Sequence, residues 1–261
     1  MGEVMYKIYQ SGLEFYNENE IYILQDELKN HFLYVNSNKI LKSDKENFCI
    51  KVYDSNDSLY LIKYQQHPLF ITGSINLLNE GINILKENNY IFEKIIIPHD
   101  LNKKLLEIYP NAKLIFNTNL MLFKGQPKED NHVRLVDGTS DALLNFIRHF
   151  YLEVTNESFS IDKIKERMNS KLYGYFVDDQ LVSIIGFSRE TKNYITLNYA
   201  YTNPIYRNKG YIKKLILSCA KVIIDNNKKP ILFVDKNNPI SNKVYKQIGF
   251  KNYYEFYSYK I

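Results

Sequence analysis

Residues 201–211 read YTNPIYRNKGY and join a predicted strand to a predicted helix. The preceding run, residues 194–201, is rich in β-branched and aromatic side chains, which is typical of a strand. The following run carries apolar side chains on one helical face, namely Ile212, Leu215, Ile216, Cys219, Ala220 and Ile223. We therefore expect the turn between them to direct free backbone N–H groups, at the positive end of the helix dipole, toward an anion.

The composition of this turn supports the same interpretation. Gly210 lets the backbone approach a ligand closely, because glycine has no side chain. Arg207 and Lys209 add positive charge beside the predicted helix start. The turn is therefore suited to a phosphate or a pyrophosphate group.

A second signature follows this helix. Residues 230–235, PILFVD, predict a buried strand, and the residues after them predict a short helix. Asn238 suits the N-cap of that helix, Pro239 its first position and Gly249 the position just past its end. These three residues fix the expected helix bounds.

Two hydroxyl-bearing side chains are expected on one edge of the short helix. Tyr245 lies one turn after Ser241, so the two side chains face roughly the same way. Because the chain contains 23 tyrosines, the interest of Tyr245 depends on its place in this pattern.

The two signatures, in this order, resemble those of the GNAT N-acetyltransferases, which use acetyl-coenzyme A. The phosphate loop of that family has Arg or Gln, two variable residues, Gly, one variable residue and then Gly or Ala. Residues 207–210 match its first four positions, and Ile212 replaces the final small residue. The resemblance covers about residues 131–261, and it is greatest to a bacterial subgroup of predicted two-domain GNAT proteins.

The resemblance implies a set of coenzyme-binding residues. Backbone groups at the strand end are expected to hold the thioester carbonyl and the pantetheine arm. The loop and the first helical amides are expected to hold the pyrophosphate, and the second helix to complete the site. The implied residues are Ala200, Tyr201, Thr202, Arg207, Asn208, Lys209, Gly210, Tyr211, Ile212, Asn238, Ser241 and Tyr245.

The resemblance also implies a catalytic role for Tyr245. It falls where many members carry the tyrosine that protonates the departing thiolate. A phenol has a pKa of about 10, near that of a thiol, and can act as general acid. The alternative is that Tyr245 only packs on the cofactor or donates a structural hydrogen bond.

The general base is less well defined. Many family members carry a Glu on the strand before the loop, whereas this strand offers only Thr196 and Asn198. Asn198 cannot accept the proton, although it could position a water molecule. Glu153 on the first helix of this half could face the cleft, or could be a solvated helix residue. Further candidates are His149, Glu157 and Glu190. A base is unnecessary if the amine has a low pKa or loses its proton to bulk water.

The length of 261 residues fits two domains. The polar stretch 124–131, with Gly and Pro, predicts the division, giving domains 1–127 and 131–261. Both are expected to be mixed α/β. The second has the β-α-α-β-β-β-α-β-α-β order that the resemblance predicts for a complete GNAT domain. The first is smaller, resembles a degenerate copy of it, lacks a counterpart of residues 207–210 and is not expected to hold coenzyme A.

Composition excludes several other classes. No stretch reaches the ~20 apolar residues of a membrane span, and no secretory pattern opens the chain, so a soluble, cytoplasmic protein is expected. Cys49 and Cys219 lie on apolar segments of different domains, which favours buried thiols and implies no metal site. A net charge of +5 with dispersed lysines favours a solvated surface over a nucleic-acid interface.

The leading functional hypothesis is an acetyl-CoA-dependent N-acetyltransferase that acts on a primary amine of a small molecule or peptide. An aminoacyl-tRNA-dependent transferase is an alternative, because such proteins also pair two GNAT-like units; the intact phosphate loop and the mild charge count against it. A non-catalytic acyl-CoA-binding module is a second alternative, motivated by the missing strand carboxylate. The acceptor, and the choice between monomer and homodimer, stay open at this level.

Overall fold

The computed structural model describes residues 3–136, 141–155, 158–167 and 171–261. The chain forms two compact units. The first unit comprises Met1–Leu120, Asp235–Asn237 and Tyr254–Ile261, and the second comprises Met121–Val234 and Asn238–Tyr253. The C-terminal residues thus belong to the first unit, which differs from the single division that the sequence predicts.

Twelve strands and eight α-helices lie in the described ranges. The first half contains β1 (Met5–Tyr9), α1 (Gly12–Gln25), α2 (His31–Ser37), β2 (Phe48–Tyr53), β3 (Ser58–Lys63), β4 (Leu69–Gly73), α3 (Leu78–Glu87), β5 (Lys94–Pro98), α4 (Asn102–Ile108) and β6 (Lys113–Phe123). The second half contains β7 (Val133–Leu135), α5 (Asp141–Thr155), α6 (Ile161–Arg167), β8 (Lys171–Val177), β9 (Gln180–Glu190), β10 (Tyr194–Thr202), α7 (Tyr211–Asp225), β11 (Lys229–Asp235), α8 (Pro239–Gln247) and β12 (Phe250–Lys260).

The same element order, β-α-α-β-β-β-α-β-α-β, therefore occurs twice along the chain. The predicted mixed α/β fold class is confirmed, and the order in the second half is the one that the sequence predicts. No helix in the described ranges combines the length and the apolar character needed to cross a membrane.

The first unit is built on the strand order β1-β2-β3-β4-β5, with the end of β12 beside β5. Neighbouring strands are antiparallel except β4 and β5, which are parallel where Leu69 lies opposite Ile95 and Phe70 opposite Ile96. The end of β12 joins this unit because it pairs antiparallel with β5, from Phe256 opposite Pro98 onward. Apolar residues of β2 to β5, α3, α4 and the turn before α4 form its core, including Ile50, Leu61, Ile71, Ile82, Leu85, Ile97, Leu101 and Leu105.

The second unit contains the strand order β11-β10-β9-β8-β7. β10 pairs in parallel with β11 and antiparallel with β9, and the β9–β8 and β8–β7 pairs are antiparallel. Asp178 and Asp179 join β8 to β9 with φ of 48° and 59°, as a tight two-residue hairpin requires. Cores lie against both faces, one with α7 and α8 and one with α5 and α6.

The predicted helix signals of α7 and α8 are confirmed. The apolar face of α7 is buried at Leu215, Ile216, Cys219, Ala220 and Ile223. The Asn238 side chain caps α8 by accepting a hydrogen bond from the Ser241 N–H at 3.0 Å, and Pro239 is the first helical residue. Gly249 follows the helix end with φ of 102°. These groups satisfy helix-end N–H and C=O groups that would otherwise lack partners.

Gly249 is also a point of close backbone contact. A Cβ there would lie 2.4 Å from Cα of Gly125, and the Gly249 carbonyl accepts a hydrogen bond from the Lys124 N–H at 2.9 Å. Gly210 has positive φ as well, at 78°, but a Cβ there would meet nothing within 4 Å.

This contrast predicts different stability costs for two glycine substitutions. Gly249→Ala should destabilise the protein by about 2–4 kcal/mol, because it combines a strained φ with a backbone clash. Gly210→Ala, the matched control, should cost only about 1 kcal/mol, the penalty for a side chain in the left-handed region. Urea unfolding followed by circular dichroism measures both, and equal costs would contradict the packing argument.

Candidate functional site

The parallel strands β10 and β11 separate before they end. Their pairing runs from Tyr194 opposite Lys229 to Leu197 opposite Leu232. β10 nevertheless continues to Thr202. Backbone N–H and C=O groups beyond Leu197 on this side of β10 are therefore not used in pairing with β11. Buried backbone groups need partners, so such an opening suits a ligand that carries amide groups of its own.

A bulge on β10 coincides with this separation. Its register with β9 shifts between Asn198 and Tyr201, and Tyr199 has φ of 55°. The Asn198 side-chain carbonyl accepts a hydrogen bond from the Tyr199 N–H at 2.8 Å. Positive φ is rare for a bulky residue, and such strain is often found at functional sites. The sequence carried no signal for this bulge, because neither Gly nor Pro marks it.

The bulge changes the face to which β10 side chains point. Leu197 packs in the core beside α7, whereas Tyr199 and Tyr201 pack in the core beside α5. Tyr151 of α5 contacts Tyr199 through their hydroxyls, 3.3 Å apart. Where β10 separates from β11, its side chains therefore contribute to the cores on both faces of the sheet.

The loop after β10 leads directly into α7. Asn203 accepts a hydrogen bond from the Ile205 N–H through its side-chain oxygen, at 3.3 Å, and Asn208 and Gly210 both have positive φ. The Gly210 carbonyl accepts hydrogen bonds from the N–H groups of residues 213 and 214, at 3.1 and 3.2 Å. The N–H groups of Tyr211 and Ile212, which lie between Gly210 and residue 213, have no acceptor within the helix. With open space at Gly210, this arrangement can receive an anion.

Arg207 connects this loop to α5. Its Nε donates a hydrogen bond to the Thr202 carbonyl at 3.0 Å, and its Nη2 lies 2.6 Å from Oε2 of Glu153. The guanidinium also lies over the Tyr201 ring, 5.3 Å from the centroid. The hydrogen bond to Glu153 raises the pKa of Arg207, and burial, with a contribution from Glu153, raises the pKa of Tyr201. The structure therefore brings Glu153 to the loop as the partner of Arg207.

Further cations surround the start of α7. Lys209 lies over the Tyr206 ring, with Nζ 5.5 Å from the centroid. Lys213 donates a hydrogen bond to Gln247 at the end of α8, at 2.6 Å. This contact places the end of α8 beside the first turn of α7.

Tyr245 packs through its ring and is half-buried. It lies edge-on to Phe250, with the centroids 6.0 Å apart. Burial raises the pKa of Tyr245 to about 12, so the hydroxyl keeps its proton at neutral pH. No described residue is hydrogen-bonded to this hydroxyl, which leaves it able to donate to a ligand. Asn238 and Ser241, the other predicted α8 residues, contact each other in the helix cap.

The other candidate bases lie in different surroundings. Glu190 pairs with Lys228 at 2.5 Å and lies opposite Ile195, near the start of β10, on the order of 20 Å of strand from the loop. Thr196 is buried and His149 is exposed on α5. Glu157 lies outside the described residues. Of the candidate carboxylates that the structure describes, Glu153 is the one placed at the loop.

The first unit contains a similar strand opening but a different loop. The described pairing of β4 with β5 ends at Phe70 opposite Ile96. The connection to α3 is short, and the Ser74 hydroxyl accepts the hydrogen bond of the Asn76 N–H at 3.2 Å. Glu80 lies in the first turn of α3. A carboxylate at this position repels a phosphate, in contrast to the open space at Gly210 before α7.

The sequence of the second unit matches a known family. Residues 140–250 match the acetyltransferase (GNAT) family. The protein carries a GNAT domain. The match supports an acyltransferase. Comparison with curated protein sequences gives no match.

Solved structures extend the similarity along nearly the whole chain. A GCN5-related N-acetyltransferase from Sphaerobacter thermophilus has 8% identity and a TM-score of 0.62, over 99% of this chain and 95% of that one. A tandem GNAT protein from the clavulanic acid biosynthesis pathway has 11% identity and a TM-score of 0.58, over 99% and 98%. A GNAT-family acetyltransferase from Colwellia psychrerythraea has 12% identity and a TM-score of 0.57, over 98% and 99%. Because these sequence identities are only 8–12%, the structural similarity establishes a shared fold and nothing beyond it.

The raised pKa of Tyr245 predicts a loss of stability in alkali. The unfolded phenol ionises near pH 10 and the folded one near pH 12, so its contribution is complete below pH 10 and is lost as the pH rises to 12. Tyr245→Phe should lack this part of the loss. Urea midpoints of both proteins at pH 8, 10 and 11 measure it, since all other tyrosines are shared. If the urea midpoints of the two proteins fell equally between pH 8 and pH 11, the raised pKa of Tyr245 would be contradicted.

Proposed function

We propose that the protein transfers an acetyl group from acetyl-coenzyme A to a primary amine of a small molecule or peptide. The observation that carries this proposal is the open loop at Gly210, which starts α7 beside the separation of β10 from β11. A pyrophosphate fits the helix start, and an amide-rich pantetheine arm fits the unpaired edge of β10. The family match supports the same donor.

The proposed coenzyme contacts follow from this arrangement. The amides of Tyr211 and Ile212, with Gly210, would hold the pyrophosphate, and Lys209 would add positive charge. Backbone groups of Ala200 and Tyr201 would hold the pantetheine amides. When bound, acetyl-CoA supplies an acetyl group that is activated as a thioester.

The protein itself would supply a proton to the departing thiolate and hold the thioester carbonyl in place. Tyr245 keeps its proton at neutral pH, as a general acid for a departing thiolate requires. Backbone groups of β10 beyond the bulge, which are not paired with β11, would hold a carbonyl in position. The Asn198 side chain already accepts a hydrogen bond from the Tyr199 N–H. We therefore propose that Asn198 stabilises the bulge in β10 and does not act as a base.

A non-catalytic coenzyme-binding module is the second candidate. It is favoured by one observation, that Glu153, the carboxylate at the loop, is engaged by Arg207. In that case the loop would bind acetyl-CoA as proposed, and no amine would be acetylated.

The loop assignment predicts that charge at position 210 controls binding. Gly210→Glu should bind acetyl-CoA at least about tenfold more weakly than Gly210→Gln, because only the carboxylate repels the phosphates. Gly210→Gln is the matched control, since both variants carry the same backbone strain at φ of 78° and the same open space. Isothermal titration measures both affinities.

The same titration tests which unit binds the coenzyme. Wild-type protein should bind one equivalent, because Glu80 opposes a phosphate at the corresponding helix of the first unit. Equal affinities of the two Gly210 variants, or two equivalents bound, would contradict the proposed site.

The catalytic role predicts a separation of turnover from binding. Tyr245→Phe keeps the ring and its contact with Phe250, so the affinity for acetyl-CoA should stay within about twofold. Turnover with an amine that the wild type acetylates should fall by about 10²-fold, as expected when a general acid is lost. A Tyr245→Phe rate equal to wild type would return Tyr245 to a packing role, and no turnover of any amine by the wild type would favour the binding module.

A further inference from the structure

Arg207 is the first residue of the loop, yet its guanidinium is already bound to an anion. Nη2 lies 2.6 Å from the Glu153 carboxylate, and Nε donates to the Thr202 carbonyl at 3.0 Å. The guanidinium thereby links the loop to α5 across the end of β10. An arginine held this way has fewer donors left for a phosphate that enters at Gly210.

The ion pair is placed so that it can be exchanged. The Arg207 side chain is 38% exposed and that of Glu153 is 50% exposed. Pairs that water reaches this freely are weak, because both partners are well solvated when apart. A pyrophosphate carries more charge than one carboxylate and accepts the paired hydrogen bonds that a guanidinium donates. Arg207 is also only three residues before Gly210.

We propose that Glu153 and the coenzyme pyrophosphate compete for the guanidinium of Arg207, so that coenzyme binding exchanges one partner for the other. This inference rests on the proposed function and assigns Glu153 as a positioning residue that acts through Arg207. The exchange leaves the Glu153 carboxylate without its cation at the end of β10. No covalent step is involved.

The exchange has a consequence for the acceptor. A carboxylate freed from Arg207 attracts a cation, and a primary amine is an ammonium ion at neutral pH. Coenzyme binding therefore increases the affinity of the GNAT domain for a cationic amine. By linkage, the amine increases the affinity for coenzyme by the same factor.

The competition predicts tighter coenzyme binding when the competitor is removed. Glu153→Gln should lower the Kd for acetyl-CoA by about two- to fivefold, the range expected for loss of an exposed ion pair. Asp179→Asn is the matched control. Asp179 is exposed and pairs with Arg134 at 2.7 Å in the β8–β9 turn, so this variant removes the same charge from a similar pair and should keep the wild-type Kd.

A second variant separates competition from simple repulsion between Glu153 and the phosphates. Arg207→Met removes the shared guanidinium, and it should weaken binding of acetyl-CoA by about three- to tenfold. In this background, Glu153→Gln should have no further effect, because there is nothing left to compete for. If repulsion were the cause, the double variant would still bind more tightly than Arg207→Met alone.

The outcomes also separate this inference from the proposed function. If the wild type and Asp179→Asn do not bind acetyl-CoA, the proposed function fails and this inference fails with it. If they bind and Glu153→Gln has an equal or weaker affinity, Arg207 and Glu153 form a fixed link between α5 and β10, and only the exchange is overturned. Circular dichroism and thermal unfolding of each variant confirm that the compared proteins are folded.

Discussion

The separation of β10 from β11 after Leu197 and Leu232 is the constraint on which the site depends. Two parallel strands that stay paired have no free backbone groups between them, and an amide-bearing ligand then has no place to bind. The bulge at Tyr199 accompanies the separation and turns the strand. The bulge also places Tyr199 and Tyr201 in the core on the α5 side, so the change of face and the strand separation occur at the same part of β10.

The loop at Gly210 has open space at its glycine and carries Arg207 and Lys209. A side chain at this position would meet nothing, in contrast to Gly249, where backbone packs against backbone. The two glycines therefore serve different physical purposes although both have positive φ. Gly249 joins two segments of the core closely, whereas Gly210 keeps a helix start accessible to an anion.

The sequence predicts the parts of this fold that local chemistry determines. Asn238, Pro239 and Gly249 set the bounds of α8 because capping needs only neighbouring residues. The contact between Arg207 and Glu153 could not be predicted, because 54 residues separate them and each alone is an ordinary charged side chain. The bulge at Tyr199 is not predictable from sequence for a related reason, since the strand pattern is the same with and without it. Pairing of the end of β12 with β5 likewise depends on tertiary structure.

The repeated element order shows how a fold and a site can change separately. Both halves keep the β-α-α-β-β-β-α-β-α-β order, and both have a helix between two parallel strands at the corresponding position. The difference lies in the few residues that follow the first of those strands. In the second unit they form the longer loop, with Gly210 just before α7. In the first unit they form a short connection to α3, whose first turn contains Glu80. The buried apolar residues that hold each sheet to its helices do not depend on that loop. A change in this connection therefore costs a unit little stability, which allows the two units to share an element order and yet carry different connections.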